Sequence, residues 1–440
     1  MRRGFGAASP GADLTARCAL LVTDSAEIAK QIASLIGGDR VRAPRGIETR
    51  AAAVIATPAS SAEIAEIVRK CEADRIPVAA IGAARTMAEI RRTPVAIGIS
   101  LERMARVVAY EPHDMTIVAQ PGISVADLNA AMEQSGQRLP VDPQNPQATT
   151  AGALIAAHHA GPLRLSEGTA RDLLIGIQYV GHGGRLIRSG GRVVKNVAGY
   201  DLMKLMNGSF GTLGIITEAA FKVRPIPDNY TLALASWPDV TSAFAAARAF
   251  SDAAPFAHLE VTSPQVSATL GLAPAFSLLA GFSGTRAEVD YFRATAARCA
   301  AGPVQFLDGA DAMIRYCALR DFDYRTASLA AQVVVPPDEL ARVLGSCGAE
   351  FRAHGASGIA QIMTHDALSA DTARATLLRW RERARGARGH VRVLHAEQET
   401  RAALAFFDSP NGGALELMRA LKAAFDPANI FNPGCFVGGI

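Results

Sequence analysis

Thirteen glycines fall between residues 152 and 214, a third of the chain's 39 glycines within a short central segment. Glycine accepts positive φ and lets backbone N–H groups come close to a ligand. Beside strand ends such a cluster forms cradles for a phosphate or a flat ring. A loop-rich β domain with many tight turns needs the same residues, and composition alone leaves the two uses equal. Within the segment stand other groups that could do chemistry. His158-His159 could move a proton near neutrality, although a loop pair bonding backbone or phosphate is the plainer use. Arg164 with Arg171 could grip a carboxylate bidentately; a salt bridge to Asp172 or Glu167 is the more ordinary one. Further along, Arg315, Tyr316, Arg320, Tyr324 and Arg325 form a cluster suited either to an anionic substrate or to a solvated helix face.

The rest of the composition narrows the field. The chain has 440 residues, 49% hydrophobic and 20% charged, which excludes a disordered protein and gives two or three domains enough apolar surface for real cores. A net charge of +4 does not argue for nucleic acid. The six cysteines (Cys18, Cys71, Cys299, Cys317, Cys347, Cys435) never form a CxxC pair, so no zinc or iron–sulfur site is expected within the chain. Free thiols in a reducing compartment are expected instead. No apolar run suits a signal peptide or a membrane span. The expected location is cytoplasmic, or peripheral at the inner membrane.

Elements must carry these residues. Residues 24–36 predict an amphipathic helix through Ile28, Ile32, Leu35 and Ile36. A strand over 51–57, a helix over 62–74 capped by Ser60 or Ser61, and a strand over 76–81 make a β–α–β opening that runs into Gly82. A strand at 116–120 and a helix from Val125 to Ser135 follow, then a proline-punctuated stretch over 138–150. Short strands are expected at 174–180, 185–188, 211–217 and 220–223. Pro225 and Pro227 close this region. Beyond it lie predicted helices at 240–253, 285–301, 337–353 and 370–385, with strands such as 330–335 and 391–395 between them, an α+β layout. Residues 1–45 form an N-terminal extension and helix, 46–227 one domain, 228–424 a second, and 425–440 a compact tail.

The order of the residues is more specific than their composition. Val118-Ala119-Gln120-Pro121-Gly122 is followed by Asp127-Leu128, Leu139-Pro140-Val141-Asp142-Pro143, Ala148-Thr149-Thr150-Ala151-Gly152, Gly161-Pro162-Leu163-Arg164 and Arg171-Asp172-Leu173-Leu174-Ile175-Gly176. The longest run is Gly190-Gly191-Arg192-Val193-Val194-Lys195-Asn196-Val197-Ala198-Gly199-Tyr200-Asp201-Leu202, continuing to Gly211-Thr212-Leu213-Gly214 and Thr217-Glu218. Ile430-Phe431-Asn432-Pro433-Gly434 ends the set. In this order the chain resembles the FAD-linked oxidases with a vanillyl-alcohol-oxidase-type (PCMH-type) FAD-binding domain. Within them it is similar to the smaller FAD-binding subunits of bacterial glycolate oxidases.

The resemblance implies an α+β fold, with a two-subdomain FAD-binding domain and an α+β cap over the isoalloxazine ring. The loop of Gly82, Ala83, Ala84, Arg85 and Thr86 would present backbone N–H groups to the pyrophosphate. Pro121, Gly122, Asp142, Thr149, Gly152, Ala153 and Gly161 would line the flavin and ribityl chain. Gly214 and Ile216 would press on the adenine or flavin edge, and Asn432 would reach the ring from the tail. Lys195 and Asn196 would touch flavin or form a structural network. Ala83 and Ala84 stand where relatives carry glycine, as does Ala151. Neither His nor Cys occupies the first loop, so FAD held there is non-covalent. The metal-binding His-x-Gly-Asp-Gly-Asn and Glu-His-Gly runs of related hydroxy-acid dehydrogenases have no match here. The nearest stretches are His354-Gly355 and Gly389-His390 to His395, with His390 and His395 expected on opposite strand faces. No metal is expected. The implied partners are a larger FAD-binding subunit, an iron–sulfur subunit and a small 2-hydroxy acid. A stand-alone FAD dehydrogenase and a flavin-poor assembly subunit are the alternatives.

Overall fold

The computed structural model describes residues 25–82, 85–91, 94–191, 200–300, 302–410 and 412–440. Ala83, Ala84, Lys195 and Asn196 lie outside them, as does the stretch before Ser25. Helix α1 (Ser25–Ile36) buries Ile28, Ile32 and Ile36 along one face, as their spacing predicts, but leaves Leu35, expected beside them, exposed. Then come β1 (Val41–Arg42), β2 (Ala52–Ala56), α2 (Ser61–Ala73), β3 (Val78–Ile81), α3 (Arg85–Ile90) and β4 (Val95–Ser100). The first sheet has the order β1–β2–β4–β3, with β2 and β3 parallel to β4. Every residue of β4 is buried, the continuous run expected of a parallel strand covered on both faces. Ser60 caps α2 by accepting the Glu63 N–H, and Ile64, Ile67, Val68 and Cys71 pack inward.

The next elements are β5 (Val107–Glu111), β6 (Thr116–Ala119), α4 (Val125–Glu133), β7 (Gln137–Arg138), α5 (Ala151–Ala156), β8 (Leu174–Gly181), β9 (Arg185–Gly190), β10 (Ile215–Lys222) and β11 (Arg224–Pro225). Five of them build an antiparallel sheet, β5–β6–β10–β8–β9, while β7 and β11 form a short ribbon. The two strands expected at 211–217 and 220–223 are one strand, β10, which pairs with β6 on one edge and β8 on the other. Gly211 and Gly214, both at positive φ, turn the chain into it.

Pro227 falls between β11 and β12 (Asn229–Trp237). From there run α6 (Val240–Ala253), β13 (His258–Thr262), β14 (Phe276–Gly284), α7 (Arg286–Cys299), β15 (Gln305–Asp308), α8 (Gly309–Arg320), β16 (Leu329–Val334), α9 (Leu340–Cys347), β17 (Glu350–His354), β18 (Ile359–Thr364), α10 (Ala370–Gly386), β19 (His390–Ala396) and α11 (Ala414–Phe425). The strands form one antiparallel sheet, β15–β12–β14–β13–β17–β18–β16–β19. Helices cover it around a core that includes Phe250, Phe282 and Trp380. The helix expected over 337–353 stops at Cys347, because Gly348 turns left-handed at φ 60° and releases the chain into β17.

The tail returns to the first sheet. Val78 N–H donates to Ile430 O at 2.8 Å and Asn432 N–H to Val78 O at 2.7 Å, while Ile430 and Phe431 enter the core there. Lys422 Nζ, buried, donates to Thr212 O (2.8 Å), Phe431 O (2.7 Å) and Asp426 Oδ2 (2.6 Å). No described helix is long and apolar enough to cross a membrane.

Candidate functional site

A cleft of about 410 Å³ opens between the two sets of sheets. One wall is the end of β3, helix α5, the Ser209–Gly211 turn and the start of β10; the other is the face of β16, β18 and β19. Gly82, Thr86, Thr149, Gly152, Ala153, Gly214 and Ile216 line it. Helix α5 is set in place by its flanks: Thr150 caps it by accepting the Ala153 N–H, Val125 N–H donates to Thr149 O (2.9 Å), and Gly152 N–H to Pro121 O (2.8 Å).

Pro121, Gly122, Asp142, Gly161 and Asn432, expected at the flavin, do not line the cleft. Pro121 supports Gly152 from behind. A Cβ on Gly122 would sit 1.9 Å from Leu101 O, and one on Gly161 1.9 Å from Asp142 O, so close backbone packing accounts for both glycines. Asn432 is buried, its Nδ2 donating to Phe210 O and its Oδ1 accepting from Arg91. Asp142 is buried in the contact between the two halves: its carboxylate accepts from Tyr316 Oη of α8 (2.5 Å) and from Leu163 N–H (3.0 Å). Burial pushes its carboxyl up to about 6.

The histidine pair lies in the cleft wall. His159 Nε2 is 3.0 Å from Thr86 Oγ1, and burial, with the Arg392 charge adding, pushes its imidazole down to about 4. His158 Nδ1 pairs with Asn207 Oδ1, and burial lowers it as well. Burial thus favours the neutral form of both rings.

The arginines sort differently from their spacing. Arg171 is exposed, whereas Arg164 lines the cleft. Neither expected acid holds Arg164: Glu167 accepts from Arg138 (3.0 Å) and pairs with Arg224, and Asp172 accepts from Thr169. In the second cluster Arg320 is tied to Asp321 and Arg325 to Asp323, Tyr316 serves Asp142, and only Tyr324 and Arg325 reach the cleft. The five-residue spacing of His390 and His395 does not separate them as expected. A bulge at Leu394 resets the alternation of β19, so His390 lines the cleft and His395 Nδ1 reaches Glu89, another lining residue, at 2.9 Å.

The sequence reading misses a buried charged cluster in the large sheet. Glu260 pairs with His354 and, at 3.3 Å, with Arg352; His258 Nε2 meets Tyr230 Oη at 2.8 Å. Its one legible sign is Glu260 flanked by the apolar Leu259 and Val261, in a strand from His258 to Thr262 that is buried throughout. Among the described residues no group of three His, Cys, Asp or Glu is arranged to hold a metal.

The wall fits FAD, a ligand of phosphates, hydroxyls and a flat ring. Ser209 Oγ, Gln361 Oε1 and Arg392 Nε, all on lining residues, have no hydrogen-bond partner among the described residues. Each unpartnered buried polar atom costs about 1–3 kcal/mol, a cost that a polar ligand removes. Gly211, at φ 69°, has nothing within 4 Å of where a Cβ would stand, so its backbone faces open space.

Comparison with known proteins agrees. Residues 52–190 match the family model of the FAD binding domain, and residues 226–435 that of the C-terminal domain of FAD linked oxidases. The chain is 35% identical over 193 residues to glycolate oxidase subunit GlcD of Bacillus subtilis (43% of this chain, 41% of that one). It is 42% identical over 122 residues to subunit GlcE of Escherichia coli (28% and 35%). These matches therefore span well under half the length of either relative. Similarity to D-2-hydroxyglutarate dehydrogenase of Stutzerimonas stutzeri is 26% over 424 residues, 87% of this chain and 90% of that one. A solved structure of p-cresol methylhydroxylase with substrate bound shares the fold: TM-score 0.67 at 17% identity, covering 92% of this chain and 95% of that one.

Proposed function

Because the chain belongs to the FAD-linked oxidases, with FAD as cofactor, we propose that it is the FAD-binding subunit of a glycolate or other 2-hydroxy-acid oxidase (dehydrogenase) complex. The observation that carries the reading is the cleft whose one wall is made of flavin-family residues and whose other wall is the large sheet. Bound FAD supplies a two-electron acceptor; the chain's part is to bind, orient and shelter it. Gly82 and Thr86 attend the pyrophosphate, Thr149, Gly152 and Ala153 the ribityl chain and ring, and Gly214 and Ile216 the adenine or flavin edge. Residues 46–227 with the 425–440 tail act as the flavin domain, and 228–424 as the cap. The similarity to two glycolate oxidase subunits supports a larger FAD-binding subunit and an iron–sulfur subunit as partners. The scattered cysteines leave the iron–sulfur centre to another chain.

A second reading, a stand-alone FAD dehydrogenase of a hydroxy acid, is favoured by the nearly full-length similarity to a D-2-hydroxyglutarate dehydrogenase. One purification separates the two. The native protein is expected to carry flavin absorbance and to bring two partner chains with it in native mass spectrometry. Dye-coupled turnover of a hydroxy acid by the isolated, flavin-loaded chain would establish the second reading instead. A native protein without flavin would overturn both and leave an assembly subunit.

A further inference from the structure

The unpartnered atoms of Gln361 and Arg392 belong to a row of side chains on the large sheet that faces the cleft. Gln332 of β16 stands opposite Gln361 of β18 on one side and Arg392 of β19 on the other, and all three line the cleft. From the opposite wall comes Arg164. The other charged lining residues are satisfied: Arg325 by Asp323 at 2.7 Å, and Glu89 by His395 and Arg401. Arg164 and Arg392 have no carboxylate partner among the described residues. Arg392 instead lies over the Phe210 ring, 5.7 Å from its centroid, with Nε unpartnered. Burial pulls both guanidiniums below their ordinary values, and each charge is felt by its neighbours, Arg164 lowering Arg392 further. Two partly buried guanidiniums lining one cleft, neither in an ion pair with a carboxylate among the described residues, suit an anionic ligand.

We propose that Arg392 and Arg164, flanked by Gln332 and Gln361, form an oxyanion receptor for the carboxylate of the substrate. The inference rests on the reading of the chain as an FAD-linked 2-hydroxy-acid oxidoreductase, and it moves the anion site away from the Arg315–Arg325 cluster that the sequence suggests. A planar fork recognises a carboxylate bidentately, and the glutamine amides can donate from either side. The FAD pyrophosphate offers the same oxyanion chemistry, but it has its own candidate donors at Gly82 and Thr86.

The test is calorimetric titration of the flavin-loaded protein with oxalate, a carboxylate that cannot be oxidised as a hydroxy acid, with bound flavin counted in every sample. Arg392→Gln and Arg164→Gln are each expected to weaken oxalate about tenfold or more, the loss of a charge-assisted contact, with flavin per chain unchanged. Arg392→Lys recovers part of the affinity. Arg342→Gln, which breaks a surface pair with Glu339, leaves it as it was. Wild-type affinity in both glutamine variants overturns the receptor. Loss of flavin, with wild-type oxalate affinity in the fraction that keeps it, also overturns it and assigns these arginines to the pyrophosphate. A wild-type protein without flavin defeats the FAD reading instead; oxalate binding to that protein, weakened by Arg392→Gln, still upholds the receptor.

Discussion

His159 and His258 are held as neutral imidazoles, both pushed down to about 4 by burial from an ordinary value of 6.5. Between pH 6.5 and 4 the unfolded chain therefore binds more protons at these sites than the folded one. Their stabilising contribution is whole above pH 6.5 and is lost as pH falls through 4. Asp142 works in the opposite sense. Its carboxyl is raised to about 6, so its contribution is present below the ordinary value of 3.8 and is lost as pH rises through 6. Two imidazoles outweigh one carboxyl, and the protein should lose stability on acidification across this window. Asp142→Asn removes the opposing group and should make that loss steeper in thermal melts run from pH 7 to pH 4; a shallower curve in the variant would refute the assignment. Little of this was legible in the sequence. Asp142 is recognisable as a flavin-family residue, but its partner Tyr316 lies 174 positions away and only folding joins them. The pairing of Arg320 with Asp321, and the lack of a carboxylate partner for Arg164 among the described residues, likewise depend on where side chains point.

At the scale of elements, periodicity and caps located most of what was expected. Helices α1, α2, α6 and α10 lie within a residue or two of their predicted ranges. The overrun at α9 has a clear origin. Leu340, Val343, Leu344 and Cys347 keep helical spacing to the last turn, and Gly348 was the stop signal passed over. Strands β13, β14, β17 and β18 escaped because none carries a clean alternation of polar and apolar residues: β13 and β17 bury Glu, His or Arg among apolar neighbours, and β14 is a mostly apolar run of nine. The clasp between α11 and the tail also supports a prediction. Lys422 is buried against two carbonyls and Asp426, and Asp426 in turn accepts from Ile430 and Phe431 N–H. Lys422→Met leaves a buried carboxylate short of its cation and should cost about 3–5 kcal/mol. Denaturant unfolding of the flavin-free protein measures it, and a change below about 1 kcal/mol, the range of an exposed pair, would refute a buried clasp.

For the whole molecule, the two halves are joined by polar contacts at separated points. Tyr316 reaches Asp142, Gln144 Nε2 donates to Phe322 O (2.6 Å), Asn145 N–H to Asp321 Oδ1 (2.7 Å), and Ser166 Oγ to Ala257 O (3.0 Å). On the far side of the cleft, Arg401 and His395 hold Glu89 of α3. Tyr316→Phe should cost about 1–3 kcal/mol by leaving Asp142 a single donor, and differential scanning calorimetry should show the halves melting further apart. A ligand held between both halves stabilises by about 2.7 kcal/mol at a hundred times its dissociation constant. Added FAD should therefore raise the melting of both halves together; a rise in one alone would mean that only one wall holds it.

The tail carries a consequence for biosynthesis. Strand β3, which leads straight into Gly82, has one edge closed by Ile430 to Asn432, residues translated about 350 codons after it. While the ribosome still holds those residues, the strand that presents the first flavin loop has an open edge and Lys422 lacks its acceptor at Phe431 O. Stable cofactor loading should thus be post-translational, and ribosome-stalled nascent chains ending before Ile430 should fail to retain FAD that the released protein keeps.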